Sequence, residues 1–515
     1  MAQSAAPIRL PRAAWAMLAL GAAVLAWLQE ALTIVRPDSA RFTFDSAEYA
    51  LAGRAWLETG RLVTPFVHPA ALGNAPGPPY PLLVGHPLVP ALDALAFALT
   101  GVTPAATLLP AMLAYVITVL LTARLALGLT GSRAAACAAA ATLAVHPWAL
   151  HYATAGLSEM PFAALYTAAL VVLLDHARRP RPLLLGALLG LVLSSPPRQR
   201  LRALLLAAAG FAPFALLIAL QRWSATGSPF TDAGSYLLLT GVDPAHVVSR
   251  LNRMAPPPDA LGWIAAHPQA WLHKLARNLR TLSFGAAWLA GPLPVAAAAL
   301  TGALLVLRGE TRARAFVLTV AAGAAMLTLL SAATVADTRM LFPFLPAVLA
   351  LAFAGLARAA EGVTRGRRLA VSAVVSLAAI LAALPLARDW RAAVAHPAPA
   401  RGAYHEHEWR GIGLGVRPML PGAGLVASDA APWIAWFARV PVTLVPLEPA
   451  ALLAGPVRLR PDAVVLTNEW LVAQPGEEAW RALLEQRTPP PGFVLAGHVR
   501  SGRLEAVVFT RRTLP

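Results

Sequence analysis

Lysine and cysteine are almost missing from this sequence, and charge of either sign is scarce. Lys274 is the only lysine and Cys137 the only cysteine among 515 residues, and charged side chains make up 13%. A single cysteine, here inside an alanine-rich apolar run, excludes an intrachain disulfide and a cysteine metal cluster. Charge at about half the level usual in soluble domains excludes a purely water-soluble globule. The sequence contains no P-loop, dinucleotide fingerprint or nucleophile elbow. It shows no internal repeat and no low-complexity linker. Aromatic and basic residues do not interleave as they do in single-strand binders. The net charge of +17 is therefore not read as a nucleic-acid footprint. It is carried by arginine, and in a hydrophobic chain arginine reports topology first.

What the sequence does have is apolar length. Hydrophobic residues reach 58%, which predicts a polytopic helical membrane protein. Arg9 and Arg12 precede an apolar run over 13–35, read as an uncleaved first span with a cytoplasmic N-terminus. Further spans are expected at 104–129, 134–150, 158–176, 203–222, 284–307, 315–335, 341–358 and 369–387, about nine crossings in all. The arginine clusters at 178–181, 198–202, 308–314 and 358–368 are placed in the cytoplasm. Residues 182–195 are too short to cross, and both flanks read as cytoplasmic. By the same parity, residues 80–100, with His86, Pro87, Pro90 and Asp93, form a juxtamembrane or re-entrant helix and not a span.

Two domains are expected. Residues 1–388 form the membrane domain, with a first outer loop at 36–103 and a long outer loop at 223–283. Residues 389–515 form a small extracytoplasmic α/β domain. The second prediction rests on short β-type runs at 424–428, 442–445, 463–467, 493–496 and 506–510. Helical stretches at 432–438 and 477–485 alternate with them.

The stretch Phe44–Tyr49 holds two acids, Asp45 and Glu48, just beyond the first span. Three residues apart, they share a face of a helix. Tyr49, Leu51, Ala52, Ala55, Trp56 and Leu57 continue with helical spacing, as an amphipathic helix suited to a membrane surface. The competing reading makes Asp45 an ordinary N-cap. Glu159 opens a later helix, where an acid also suits the macrodipole. Arg339 stands beside Asp337 before Pro343 and Pro346. From the residues alone it is read as an interfacial arginine paired with Asp337. His405-Glu406-His407-Glu408 has metal-capable side chains, but its spacing is poor for zinc, and a solvated loop is expected. Asp429 is expected to cap the helix that follows it.

The order of these features is an acidic first loop, Pro78-Pro79-Tyr80-Pro81 entering the 80–100 segment, and His146-Pro147 through Ser158-Glu159-Met160-Pro161. It resembles the GT-C glycosyltransferases of the family 39 type, the protein O-mannosyltransferases and the aminoarabinose transferases that modify lipid A. The resemblance spans roughly residues 10–390. It implies a bacterial inner-membrane enzyme that moves a hexosyl or pentosyl unit from a polyprenyl-phosphate donor to an extracytoplasmic lipid, protein or glycan. It makes Asp45 the general base, with Glu48 beside it, and assigns Tyr49, Glu159 and Arg339 to substrate binding. No cofactor is assigned and no metal ligands are named, although a divalent cation is compatible with the resemblance. Membrane lipids are the remaining expected partner. One departure stands out: Gly186–Leu191 runs directly into Ser194-Ser195-Pro196-Pro197, where relatives carry another crossing and a basic residue. That departure keeps a non-enzymatic or degenerate relative open as the alternative. A transporter is the other alternative, but the paired repeats with broken helices that it should show are not seen.

Overall fold

The computed structural model describes residues 10–35, 42–72, 77–82, 87–176, 234–242, 260–289, 311–363, 406–420, 424–446, 448–453, 460–468 and 477–512, with isolated positions elsewhere. The expected short segment at 182–195, the departure at Ser195, and the spans expected at 203–222 and 369–387 lie almost entirely outside these residues. So does most of the span expected at 284–307. In chain order the helices are α1 (Arg12–Val35), α2 (Phe44–Thr59), α3 (Pro69–Leu72), α4 (Leu88–Thr100), α5 (Leu108–Thr130), α6 (Arg133–Ala144), α7 (Pro147–Thr154) and α8 (Glu159–His176). They continue with α9 (Gly234–Leu239), α10 (Ala260–Ala266), α11 (Pro268–Leu289), α12 (Thr311–Ala333), α13 (Leu345–Val363), α14 (Glu406–Val416), α15 (Ala431–Ala438) and α16 (Glu477–Gln486). The strands are β1 (Val63–Thr64), β2 (Phe66–Val67), β3 (Tyr80–Pro81), β4 (Val426–Ser428), β5 (Val442–Leu444), β6 (Ala463–Thr467), β7 (Phe493–Ser501) and β8 (Leu504–Arg511).

The chain divides into two compact units. The first comprises 1–32, 111–218 and 276–396, and the second 33–110, 219–275 and 397–515.

The described part of the first unit is helical. Four helices of the described chain are long and apolar enough to cross a membrane: Arg12–Ala31, Pro104–Thr130, Phe316–Ala333 and Thr338–Arg358. A helix needs about 20 apolar residues to cover the hydrocarbon thickness. The protein is thus a polytopic helical membrane protein. The span expected at 134–150 is not one helix. Helix α6 has only 12 residues, and Pro147 opens α7 at the first helical position, where its missing N–H costs nothing. Helices α7 and α8 are bent by 117° across residues 155–158, where Gly156 takes a left-handed φ of 64°.

Alanine packs this unit. Ala135, Ala136, Ala139 and Ala140 of α6 are all fully buried, and small side chains let α6 lie close against α13. The Tyr115 hydroxyl donates to the Ala144 carbonyl at 2.5 Å. Arg124 donates to both oxygens of Asp175 at 2.9 and 2.8 Å. Met17, Leu20, Trp27, Leu113 and Leu165 remain exposed, as lipid-facing side chains do.

The second unit is built around a six-stranded sheet of order β2-β5-β4-β6-β8-β7. Strands β2, β5, β4 and β6 run parallel, and β8 and β7 complete the sheet antiparallel. Parallel strands covered on both faces read as unbroken apolar runs, and Ala463–Thr467 is buried at every position. The two faces alternate residue by residue. Val426, Val465 and Val508 enter the core that holds Trp409, Ile412 and Trp433. Ala427, Val464 and Val507 enter the core that holds Trp480 and Phe493. Four of the five strands expected from the C-terminal sequence are found within two residues of their expected ends. The fifth, β7, runs on to Ser501.

Three differences from the sequence expectations have clear causes. The sheet is not made by the C-terminal segment alone, because β2, from the first loop, pairs with β5 through Phe66–Val442 and Val67–Thr443. Two residues are too few to carry a strand period, so sequence pattern alone misses them. Residues 406–408 are not a loop. They open α14, whose Glu408 is buried and accepts from the Arg503 amide at 2.8 Å. Finally, α2 is not a surface-lying amphipathic helix. Its positions 46–48 and 50–55 are all buried, the signature of a helix packed on several sides.

Helix α2 begins at Thr43, whose side chain accepts from the Ser46 amide at 3.2 Å, so Asp45 lies in the first turn and is not the cap. The helix ends at Gly60, left-handed at φ 68°, whose amide reaches the Trp56 carbonyl at 2.8 Å. It packs on α4 at Gly53, where an added Cβ would lie 2.8 Å from Asp93 Cβ and 2.9 Å from the Pro90 carbonyl. Gly53→Ala is therefore expected to cost about 1–3 kcal/mol by overpacking. Thermal unfolding of the purified variant checks this, and an unchanged midpoint would show that α4 can move away.

Candidate active site

In the second unit the candidate residues gather at the start of α2. Asp45 and Tyr49 are half-buried and Glu48 is buried. One helical turn separates Asp45 from Tyr49, which places them on one face, with Glu48 one position before Tyr49. Glu48 Oε1 lies 3.5 Å from His68 Nε2. His68 is buried, directly follows β2, and packs edge-on against Phe66 with ring centroids 4.8 Å apart. The register of β2 on β5 thus sets where the imidazole meets Glu48. No local signal in the sequence pairs His68 with Glu48.

The helix is held from the other side by α15. The Trp433 indole donates to the Phe42 carbonyl at 3.0 Å. Arg54 donates to the carbonyls of Trp436 and Ala435 at 3.0 and 3.3 Å. Those carbonyls belong to the last turn of α15, where orphan acceptors need a donor. The Arg54 guanidinium also stands 4.6 Å from the centroid of the Trp436 ring, a cation–π contact. Asp45 is consequently mounted on a helix fixed at both ends.

In the first unit Glu159 and Arg339 do meet. Glu159 is buried at the first position of α8. Arg339 sits in the 3₁₀ turn Thr338–Phe344. Its Nε lies 2.6 Å from Asp337 Oδ2 and 3.4 Å from Glu159 Oε1. Asp337 also accepts from the Arg339 amide at 3.0 Å. Arg339 is thus paired with Asp337, as the interfacial reading expects, and it also bridges to Glu159. Two carboxylates and one guanidinium give the group a formal charge of −1. Aromatic rings brace the turn, with Tyr152 on Phe342 at 4.7 Å and Tyr166 on Phe344 at 4.8 Å. Asp337 and the two tyrosines were not singled out as functional by sequence. Among the described residues, no group of three or more His, Cys, Asp or Glu side chains is placed to hold a metal ion.

Asp429 proves to be a staple between strands and not a helix cap. It accepts from the Thr467 amide at 2.9 Å and from the Thr467 hydroxyl at 2.6 Å, joining the end of β4 to the end of β6. Burial pushes its carboxyl up to about 6, against the opposing pull of the Thr467 hydrogen bonds. A folded value above the unfolded one means that this group's stability contribution is full below about pH 4 and is lost as pH rises toward 6. At 1.36 kcal/mol per unit the loss is about 3 kcal/mol. Relative to Asp429→Asn, the parent should lose thermal stability between pH 4 and 6. Parallel melting curves for the two proteins would refute the assignment.

Comparison with known proteins shows what the chain is similar to. A family model described as dolichyl-phosphate-mannose-protein mannosyltransferase matches residues 81–245, a stretch that includes Glu159. The chain is similar in fold to the oligosaccharyltransferase of Archaeoglobus fulgidus. In its complex with Zn and sulfate the TM-score is 0.55 at 14% identity, over 88% of this chain and 67% of that one. In its apo form the score is 0.56 at 14% identity, over 88% and 69%. ArnT of Cupriavidus metallidurans bound to undecaprenyl phosphate aligns over 97% of this chain and 98% of its own, with 13% identity and a TM-score of 0.48. No curated protein matches in sequence. The resemblance to the GT-C glycosyltransferases is therefore shown, by a family model over part of the chain and by the fold.

Proposed function

We propose that this protein is a glycosyltransferase of a bacterial inner membrane. It moves a sugar from a polyprenyl-phosphate donor to a hydroxyl of a lipid, protein or glycan on the extracytoplasmic side. The observation that carries the reading is the family match over 81–245, whose description names a dolichyl-phosphate sugar. The acids of α2 supply the chemistry. The acceptor oxygen attacks the anomeric carbon, the bond from that carbon to the phosphate oxygen breaks, and the electron pair leaves with the lipid phosphate. The acceptor proton passes to the Asp45 carboxylate, which acts as general base. Glu48, held against His68, and Tyr49 orient the acceptor. Arg339 grips the donor phosphate through charge-assisted hydrogen bonds, and Glu159 holds the guanidinium in place.

Topology follows from the arginine distribution, with a cytoplasmic N-terminus and the sheet-bearing unit outside. At 13 residues, or about 20 Å, α4 is shorter than a bilayer core and suits a juxtamembrane position. The test is direct: the purified full-length protein is incubated with radiolabelled polyprenyl-phosphate sugars and a panel of acceptors, and transfer is counted. A folded protein that transfers no sugar from any donor would replace this reading with that of a degenerate relative, for which the run-on from Gly186–Leu191 into Ser194-Ser195-Pro196-Pro197 is the sequence argument.

A further inference from the structure

The second unit contains a cavity of about 560 Å³ bordered by α2, the β1–β2 connection, the Pro78-Pro79 segment and the α15–β5 turn. That size lies in the range of small-molecule sites. Arg54 and Glu58 of α2 line it, with Arg439 from the α15–β5 turn. Two guanidinium groups against one carboxylate leave the cavity positive. Arg54 is buried, and burial lowers its guanidinium to about 10, with the Arg439 charge adding to the drop and Glu58 opposing it. Arg439 is exposed at the rim. It occupies a left-handed φ of 59° at the end of α15, a conformation that Gly or Asn takes more readily. The walls include Pro65, Pro79 and Pro441, and among the described residues no aromatic side chain lines the cavity.

This is not the face that carries the candidate base. Asp45 and Arg54 are nine residues apart on α2, which at about 100° per residue puts them on opposite sides of the helix. The cavity therefore belongs to a second site. Walls of proline in place of aromatic rings argue against a stacked nucleobase. Proline rings offer rigid C–H surface of the kind that packs on the apolar face of a pyranose. The exposed Arg439 guanidinium suits a planar or tetrahedral oxyanion, and the Glu58 carboxylate can accept from ring hydroxyls.

We propose that this cavity binds an acidic saccharide, with its carboxylate or phosphate on the exposed Arg439 guanidinium, its charge favoured also by the nearby Arg54, which stays bonded to the Ala435 and Trp436 carbonyls, and its ring against the proline walls. The proposal stands whether or not Asp45 is the base. Full-length protein in detergent is titrated calorimetrically with glucuronate, glucose 6-phosphate, glucose and inorganic phosphate. The expected result is saturable binding of an acidic sugar, with glucose at least about tenfold weaker, as befits loss of a charge-assisted contact. The tighter of glucuronate and glucose 6-phosphate identifies the anion. Arg439→Asn, which removes the charge but accepts the left-handed backbone, should weaken the acidic sugar about tenfold or more without lowering the melting temperature of the free protein. Four results would overturn the proposal: no binding of either acidic sugar, equal binding of glucose, inorganic phosphate binding as tightly as glucose 6-phosphate, or unchanged affinity in Arg439→Asn.

Discussion

Asp45→Asn should lower sugar transfer by about 10²–10⁴-fold, the usual worth of a positioned general base. Asparagine keeps the size of the side chain and removes its proton affinity. The helix should persist, because its start is capped by Thr43 and not by Asp45. Its register is fixed by Trp433 on Phe42 and by Arg54 on the end of α15. Donor affinity should change little, since in the proposed mechanism the acceptor hydroxyl and not the phosphate uses this carboxylate. Single-turnover transfer and donor binding, measured side by side in detergent, separate the two. Turnover at the parent rate would show that Asp45 is not the base. Glu48→Gln is the informative companion, because Glu48 is buried against His68 and its loss should disturb acceptor orientation more than proton transfer.

The second large effect is expected at Arg339. Replacing it with methionine should weaken donor binding by about 1.5–3 kcal/mol, the worth of a hydrogen bond to a charged group. It also leaves Glu159, which is buried, and Asp337 without the cation that lies within 3.4 and 2.6 Å of them. A lost partner of a buried acid is costly. The Arg339 side chain is about one-third exposed, so solvent screening reduces that cost to about 1–3 kcal/mol. The two consequences separate in a double variant. Glu159→Gln combined with Arg339→Met should recover part of the stability, because the buried charge that faced Arg339 is gone, while donor affinity stays weak. If the double variant recovers donor binding as well, Arg339 serves the fold and does not touch the phosphate.

Much of the architecture could be read locally. The runs at 463–467, 442–445 and 424–428 are short, apolar and bounded by turn residues, and each holds a strand. The helical spacing after Phe44 is a helix. Where the reading failed, a local rule met a distant partner. Arg54 interrupts the apolar pattern of α2, and nothing local gives it a partner. It is buried because the end of α15, more than 380 residues away in sequence, presents carbonyls for it to bond. Glu408 looked like a loop acid and is buried because the Arg503 amide needs an acceptor.

By itself, the sequence determined the membrane class, from the length of its apolar runs, and the positions of the acids, from helical period. These are short-range properties, set by residues within a turn or two of each other. The tertiary structure alone decided that β2 joins the sheet of the C-terminal segment, that His68 meets Glu48, and that Arg339 reaches Glu159. Each of these depends on the register of segments far apart in the chain. A two-residue strand or a lone arginine has no periodicity of its own to announce it, and only the packing of the whole unit brings its partner within reach.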